Sequence, residues 1–245
     1  MTLDGTNTWV LAEPGSQRAA VVDPGPLDEG HLAAVLARVE ELGARVDVVL
    51  LTHGHPDHAD AARRFAELAR APVRALDPRL RLGSEGLAGG DVVEVGGLEI
   101  RVVATAGHTA DSLSFQLPGD GALLTGDTVL GRGTTVVAYP DGRLADYLDT
   151  LQRLRGMAEG DEFDVILPGH GPVVQRPGSL IRYYLAHRTE RLAQVQAARA
   201  AGDVTADQIV RRVYANVDPA LWPAAELSVL AQLEYLDRQQ EPSGD

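Results

Sequence analysis

The segment from Leu51 to His58 constrains this chain more than any other stretch. It runs Leu-Thr-His-Gly-His-Pro-Asp-His and places three histidines and one aspartate within six residues. Neutral imidazoles together with a carboxylate suit Zn²⁺ or another borderline divalent metal. The apolar, β-branched run 45–51 predicts a buried strand before the motif, and the Ala/Arg/Glu-rich run 59–70 predicts a helix after it. The motif is therefore expected on a loop between a strand end and a helix start, where functional residues are common.

Three later segments have a similar form, each with one potential metal ligand in a glycine-containing loop after a strand-like run. They carry His108 in Ala-Gly-His-Thr, Asp127 in Thr-Gly-Asp-Thr and His170 in Pro-Gly-His-Gly-Pro. With the first motif they offer seven candidate ligands, enough for two metals that clamp a developing anion between them. We predict that one metal is bound by His53, His55 and His108, and a second by Asp57, His58 and His170. Asp127 is predicted to bridge the two metals.

These segments resemble the metallo-β-lactamase superfamily of binuclear hydrolases over roughly residues 5–175. The resemblance implies an α/β fold, the αββα sandwich, with the metals at one edge between the sheets. It also implies that Asp23 is a buried carboxylate that supports the metal-binding loop. The expected cofactors are two divalent ions, Zn²⁺ first, with Mn²⁺ or Fe²⁺ as alternatives. A metal-bridging hydroxide would be the nucleophile, and Asp57 is the candidate catalytic residue for proton transfer.

Three stretches and the helical C-terminus resemble one branch of that superfamily, the β-lactamase-like protein 2 group. The stretches are Gly5-Thr6-Asn7-Thr8-Trp9, Pro168-Gly169-His170-Gly171-Pro172 and His187-Arg188-x-x-Arg191. In that group the C-terminus is a small winged-helix-like domain, and the human member is associated with single-stranded RNA cleavage. The resemblance implies a hydrolase domain over 1–175 and a helical, winged-helix-like domain over 176–245. Past Arg238 the sequence offers no obvious hairpin for a wing.

Three functions stay open at this level. Cleavage of single-stranded RNA is favoured by the subfamily likeness, but the net charge of −13 and the lack of a clear aromatic stacking platform oppose it. A glyoxalase II-like thioester or ester hydrolase is favoured by a bridging carboxylate at Asp127, although no glutathione-binding Lys/Arg pattern is recognisable. The third is an inactive sandwich with a nucleic-acid-binding helical module, which the complete ligand set opposes.

Other residues have two interpretations. His187, Arg188 and Arg191 are either a solvated helix face or a clamp for a substrate phosphate or carboxylate. His31, which opens a predicted helix, is expected at the surface.

The chain is expected to be cytoplasmic and not to bind a membrane. It has no apolar run of about 18 residues, no signal-like start and no cysteine. The tail 241–245 is expected to be disordered. The substrate, the native metal and the oligomeric state stay open.

Overall fold

The computed structural model describes residues 5–137 and 139–240, so the tail 241–245 lies outside the described residues. The chain divides into two compact units. The sheet unit comprises the described parts of 1–105, 111–133 and 160–177, and the helical unit those of 106–110, 134–159 and 178–245. The predicted division into 1–175 and 176–245 rests on family likeness, and it stays a prediction.

The sheet unit is built from nine strands in two sheets. The strands are β1 (Trp9–Leu11), β2 (Arg18–Val22), β3 (Arg45–Leu50), β4 (Val73–Arg74), β5 (Val92–Val95), β6 (Leu98–Ala104), β7 (Leu113–Leu117), β8 (Ala122–Gly126) and β9 (Val165–Pro168). In the first sheet, ordered β1-β2-β3-β4, β2, β3 and β4 are parallel. In the second, ordered β5-β6-β7-β8-β9, only the β8–β9 pair is parallel.

The core of the sheet unit follows the two-residue alternation of its strands. Ala20 and Val22 of β2 face the second sheet and pack with Ile100 and Phe115. Their neighbours on β2 face the other way, against helices α1 (Glu29–Glu41) and α3 (Ala62–Ala69). Because successive side chains of a strand point to opposite faces, one short strand contributes to both layers. The predicted two-sheet core is present.

The described residues of the helical unit form four α-helices and no strand. The helices are α4 (Leu144–Glu159), α5 (Pro177–Ala200), α6 (Ala206–Val213) and α7 (Trp222–Gln240). The first residue of α5, Pro177, belongs to the sheet unit. Val195, Ile209 and Val229 pack in a core shared by α5, α6 and α7. Thr205 begins α6 with a capping box that Gln208 completes. Within the described residues, no helix is both long and apolar enough to cross a membrane.

The predicted ligands follow strand ends. β3 leads into the His53–His58 segment, β8 into Asp127 and β9 into His170. One detail differs from the expectation of a loop followed by a helix at Ala59. The short helix α2 (Pro56–Ala59) begins inside the motif, because Pro56 is preorganised for the first helical position. Asp57 and His58 therefore lie in a helical first turn, and the longer helix starts only at Ala62.

Candidate metal centre

A buried carboxylate organises the first motif. Asp23 is 1 % exposed and follows β2 with a φ of +50°, a left-handed conformation that Asp tolerates better than most residues. Its Oδ1 accepts a hydrogen bond from the Thr52 backbone N–H at 2.8 Å, and its Oδ2 accepts one from Thr52 Oγ1 at 2.6 Å. These bonds hold Asp23 in its conformation and tie the end of β2 to the residue before His53.

The same network selects the ring nitrogens that two histidines offer to a metal. Asp23 Oδ2 lies 2.8 Å from His58 Nδ1, so Nδ1 donates and Nε2 faces away from the carboxylate. His53 Nδ1 lies 3.0 Å from Thr52 Oγ1. Because the Thr52 hydroxyl donates its only proton to Asp23, it accepts from His53, which leaves Nε2 of His53 to face the centre as well.

His170 is oriented by the N-terminal segment. Its Nδ1 donates to the Gly5 carbonyl at 2.9 Å, which again leaves Nε2 as the potential ligand atom. Asn7 holds the loop that carries His170. Its Nδ2 donates to the Pro168 and Gly171 carbonyls at 3.0 and 2.9 Å, and its backbone N–H donates to the Gly169 carbonyl at 2.7 Å.

Four side chains converge at separations that suit one metal ion. His170 Nε2 lies 3.3 Å from each of His58 Nε2, Asp127 Oδ1 and Asp57 Oδ2. His58 Nε2 lies 3.3 Å from Asp127 Oδ1 and 3.8 Å from Asp57 Oδ2. Ligands about 2.0–2.2 Å from a tetrahedral Zn²⁺ are about 3.3–3.6 Å from one another. Most of these separations match that value, so the four groups fit a tetrahedral divalent ion.

The remaining candidates of the first motif adjoin this cluster. The ring centroids of His53 and His58 are 4.3 Å apart, and those of His53 and His55 are 4.7 Å apart. Ligand atoms of His53, His58 and Asp127 lie within 4.8 Å of one another. Asp127 is thus close to histidines of both predicted groups, as a bridging ligand requires.

Gly169 makes this close packing feasible. A Cβ at this position would lie 2.6 Å from Asp127 Oδ1 and 2.8 Å from His58 Cε1. The absence of a side chain at Gly169 therefore permits the close approach of Asp127 and His58.

In the absence of a metal, protonation of His58 and His170 balances the negative charges of the carboxylates in this cluster. Burial disfavours a charged His58, but the charge of Asp23 and the hydrogen bonds to Asp127 and Asp23 raise its pKa to about 10. Burial likewise opposes a charged His170, whose pKa Asp127 and Asp57 raise to about 10. Burial would raise the pKa of Asp127, yet hydrogen bonds from His170 and His58 hold it well below its usual value. The carboxylates thus require positive charge beside them, and a metal ion would compete with protons for the Nε2 atoms.

His108 lies in the helical unit, on the loop 106–110. It is 5 % exposed, and its Nδ1 lies 2.5 Å from the Val136 carbonyl. A carbonyl only accepts, so Nδ1 donates and Nε2 is the potential ligand atom, as at His58 and His170.

Arg188 fits neither interpretation of its helix. It is 6 % exposed, donates through Nη2 to the Thr135 carbonyl, and places its guanidinium 5.2 Å from the centroid of the Tyr147 ring. It is therefore not part of a solvated face. Arg191 also stays inside the helical unit, bonded to the Val213 carbonyl at 3.3 Å and placed over the Tyr214 ring at 4.9 Å.

Sequence reasoning assigned no contacts to three polar residues near the centre. Asn7 and Thr52 belong to motifs, and the motif of Asn7 carries the subfamily likeness, but neither motif indicates a contact. The expectation that His31 is a plain surface residue was wrong. Its Nε2 lies 2.8 Å from Thr8 Oγ1, and the hydroxyl proton of Thr8 is donated to the Asp23 carbonyl at 2.7 Å.

Comparison with known proteins agrees with this architecture. A profile of the Metallo-beta-lactamase superfamily matches residues 1–170, and a profile of the Beta-lactamase associated winged helix domain matches residues 205–241. The crystal structure of a metallo-beta-lactamase family protein from Thermus thermophilus has a TM-score of 0.77 at 23 % identity, covering 96 % of this chain and 94 % of that one. The predicted sandwich with a C-terminal winged-helix domain is confirmed.

Two relatives indicate the range of functions among similar proteins. The beta-lactamase-like protein 2 homolog of Drosophila melanogaster is 31 % identical, over 98 % of this chain and 84 % of the relative. The atrochrysone carboxyl ACP thioesterase of Passalora fulva is 29 % identical, over 87 % of this chain and 64 % of the relative.

Proposed function

This chain belongs to the metallo-β-lactamase superfamily, and we propose that it is a hydrolase that binds two divalent metal ions at the centre described above. The observation that carries the proposal is the set of near-uniform separations among Asp57, His58, Asp127 and His170, with four contacts at 3.3 Å and one at 3.8 Å. All four are nitrogen or oxygen ligands, and the chain has no cysteine. Zn²⁺ is the ion that this donor set and spacing favour, with Mn²⁺ or Fe²⁺ as alternatives.

We assign Asp57, His58 and His170 to one ion, and Asp127 as the bridge. His53 and His55 would hold the second ion together with His108. Chain geometry within the sheet unit supports the last assignment. The ends of the His108 loop are joined by a bond from Thr105 N to the Ser112 carbonyl at 2.9 Å, and Leu113 N donates to the Thr52 carbonyl at 2.7 Å. Within the sheet unit, the residues on either side of this loop therefore lie near Thr52, which precedes His53.

Two bound ions would lower the pKa of a coordinated water and stabilise a developing oxyanion. The chain itself supplies orientation and a proton acceptor. Asp57 is half-buried, and its Oδ2 accepts from Thr6 Oγ1 at 3.4 Å. Burial would raise its pKa, but the hydrogen bond from His170 and the charge of His58 lower it. Asp57 is thus ionised at neutral pH and can accept a proton, and we propose it as the catalytic residue.

The substrate class we favour is an acyl thioester or ester. The Passalora fulva relative is named an atrochrysone carboxyl ACP thioesterase, and it aligns with 87 % of this chain. A net charge of −13 does not repel a small acyl substrate as it does a polyanion.

Single-stranded RNA is the second candidate. The Drosophila relative, a beta-lactamase-like protein 2 homolog, aligns with nearly the full length of this chain, and the likeness to that group is what favours RNA. The helical unit offers it little free positive charge. Arg211 is bonded to Asp207 at 2.8 Å, Arg212 is paired with Asp203, and Arg199 is bonded to Asp237 at 2.7 Å. Arginines paired in this way neutralise few phosphates, so we place RNA second.

The test is to assay one metal-loaded preparation on an acyl thioester of a pantetheine arm and on end-labelled single-stranded RNA. Thiol release is a clean readout because the protein contains no cysteine. We expect thioester hydrolysis that chelator abolishes and that Asp57→Asn lowers by about 10²–10⁴-fold. Asp60→Asn is the matched control, since Asp60 is exposed and three residues away.

If the protein cleaves RNA but not the thioester, and Asp57→Asn does not cleave RNA, the second candidate would be selected. Failure to bind any metal would overturn the centre itself. Bound metal without activity on either substrate would overturn both substrate assignments.

A further inference from the structure

We propose that Arg188 is a positioning residue for His108, acting through the backbone of Thr135 and Val136. This inference rests on the proposed role of His108 as a metal ligand. All contacts that carry it lie within the helical unit.

The first step is the contact between His108 and Val136. The Val136 carbonyl is the acceptor for His108 Nδ1 at 2.5 Å, and it decides which ring nitrogen stays available. A partner of this kind sets both the tautomer and the orientation of a ligating histidine. Any movement of the 134–137 segment would therefore rotate the His108 ring or free its other tautomer.

The second step is the contact between Arg188 and Thr135. The guanidinium donates to the carbonyl of the residue directly before Val136. Arg188 is itself held by the ring of Tyr147, 5.2 Å from its centroid, and Tyr147 is completely buried. A rigid, planar donor thus fixes the peptide next to the one that orients His108.

The third step concerns the loop that carries His108. The Ala106 carbonyl accepts from Thr150 Oγ1 at 2.8 Å, and the Gly107 carbonyl accepts from Arg143 N at 3.1 Å. A Cβ at Gly107 would overlap the backbone of Tyr147. Tyr147 therefore supports the His108 loop directly and supports the 134–137 segment through Arg188.

The burial of Arg188 indicates that its contact with Thr135 has a structural role. Removing a guanidinium from water is energetically unfavourable, and an apolar side chain of similar length would avoid that cost. Such a side chain would leave the Thr135 carbonyl without this donor. A positioning role accounts for a charged residue at a site where only 6 % of its surface is exposed.

The test compares Arg188→Met with Arg191→Met in Zn²⁺ titrations of the metal-free protein. Arg191 is the matched control because it too bonds a carbonyl and covers a tyrosine ring, but that carbonyl belongs to Val213 and that ring to Tyr214. We expect Arg188→Met to weaken the binding of one of the two ions by about 10–100-fold. The other ion, and both ions in Arg191→Met, should bind as in the wild type. Adding Arg188→Met to His108→Ala should weaken binding no further, since both changes act on one ligand.

A second readout does not need metal. Long-range ¹H–¹⁵N spectra report which ring nitrogen of His108 carries the proton. In the wild type it should be Nδ1, and Arg188→Met should give a mixture of tautomers. Equal weakening of both ions, or an unchanged tautomer, would overturn the proposal. A wild type that binds no metal would instead remove the proposed function, and the spectra would still test the contact. If Arg188→Met does not fold, Arg188→Lys keeps the charge without the planar fork and gives the same comparison.

Discussion

Asp23 and His58 are 35 residues apart in the chain, yet Asp23 Oδ2 accepts a hydrogen bond from His58 Nδ1 at 2.8 Å. The same carboxylate oxygen accepts from Thr52, whose hydroxyl in turn accepts from His53. One residue outside the metal-ligand set thus determines which nitrogen two of the proposed ligands present.

Asp23→Asn should weaken metal binding by about 10–100-fold, because an amide offers one oxygen where Asp23 uses two. Isothermal titration with Zn²⁺ measures the effect. Asp47→Asn is the control, since Asp47 is on the neighbouring strand β3 and its carboxylate accepts from the exposed Arg18. Wild-type affinity in Asp23→Asn would show that the ligand tautomers do not depend on this network.

Gly169→Ala should abolish binding of the ion that we assign to Asp57, His58 and His170. Its methyl group would lie 2.6 Å from Asp127 Oδ1 and 2.8 Å from His58 Cε1, so the ligands would have to separate. Metal content after dialysis reports the loss. Gly156→Ala is the matched control: a Cβ there meets nothing within 4 Å, and alanine in the interior of α4 should stabilise the protein by about 0.5–1 kcal/mol. Full metal content in Gly169→Ala would contradict the proposed ligand geometry.

Asn7→Asp should destabilise the protein by about 1–3 kcal/mol and weaken metal binding. The substitution keeps the shape of the side chain but replaces the donor to the Pro168 and Gly171 carbonyls with a group that repels them. Urea unfolding and Zn²⁺ titration measure the two effects. Asn216→Asp is the control because Asn216 is exposed in the helical unit. Equal stability of the two variants would remove the role that we assign to Asn7.

Rising pH should destabilise the metal-free protein and leave the stability of the metal-bound protein nearly unchanged. Asp23 and Asp127 at His58, and Asp127 and Asp57 at His170, raise the pKa of each histidine to about 10 from a usual 6.5. Protonation therefore stabilises the metal-free fold fully below pH 6.5, and this contribution is lost as pH rises toward 10. A metal ion replaces these protons, so metal binding should tighten over the same range.

Melting curves with and without chelator, measured in steps between pH 6.5 and pH 10, test this expectation. The melting temperature of the chelated protein should fall, and its difference from the Zn²⁺-loaded protein should widen. Calorimetry in buffers of different ionisation enthalpy should show protons released on metal binding. A gap that narrows with rising pH would contradict the competition between metal and protons.

Much of this candidate centre could be predicted because its candidate ligands are local in sequence. The motif at 53–58 contains four of the seven candidates, and strand-like runs precede the other three. Asp23 was also found, from the family likeness. The contacts of Asn7, Thr52 and His31 were not, since a polar residue in a loop has many potential partners. Asn7 and Gly171 are 164 residues apart, and no local pattern indicates that they meet.

Arg188 illustrates the limit most clearly. Charged residues on a helix usually face water, and the His-Arg-x-x-Arg spacing shows no apolar alternative. Burial of the guanidinium depends on the ring of Tyr147 and the carbonyl of Thr135, which reach it only through packing within the helical unit. The sequence by itself determined the candidate ligands and the order of the strands that precede them, because these follow from hydrophobic periodicity and local motifs. The fold class followed from the family likeness that the same motifs carry. Only the tertiary structure decided which nitrogen each histidine presents, since that depends on acceptors brought from distant strands and loops.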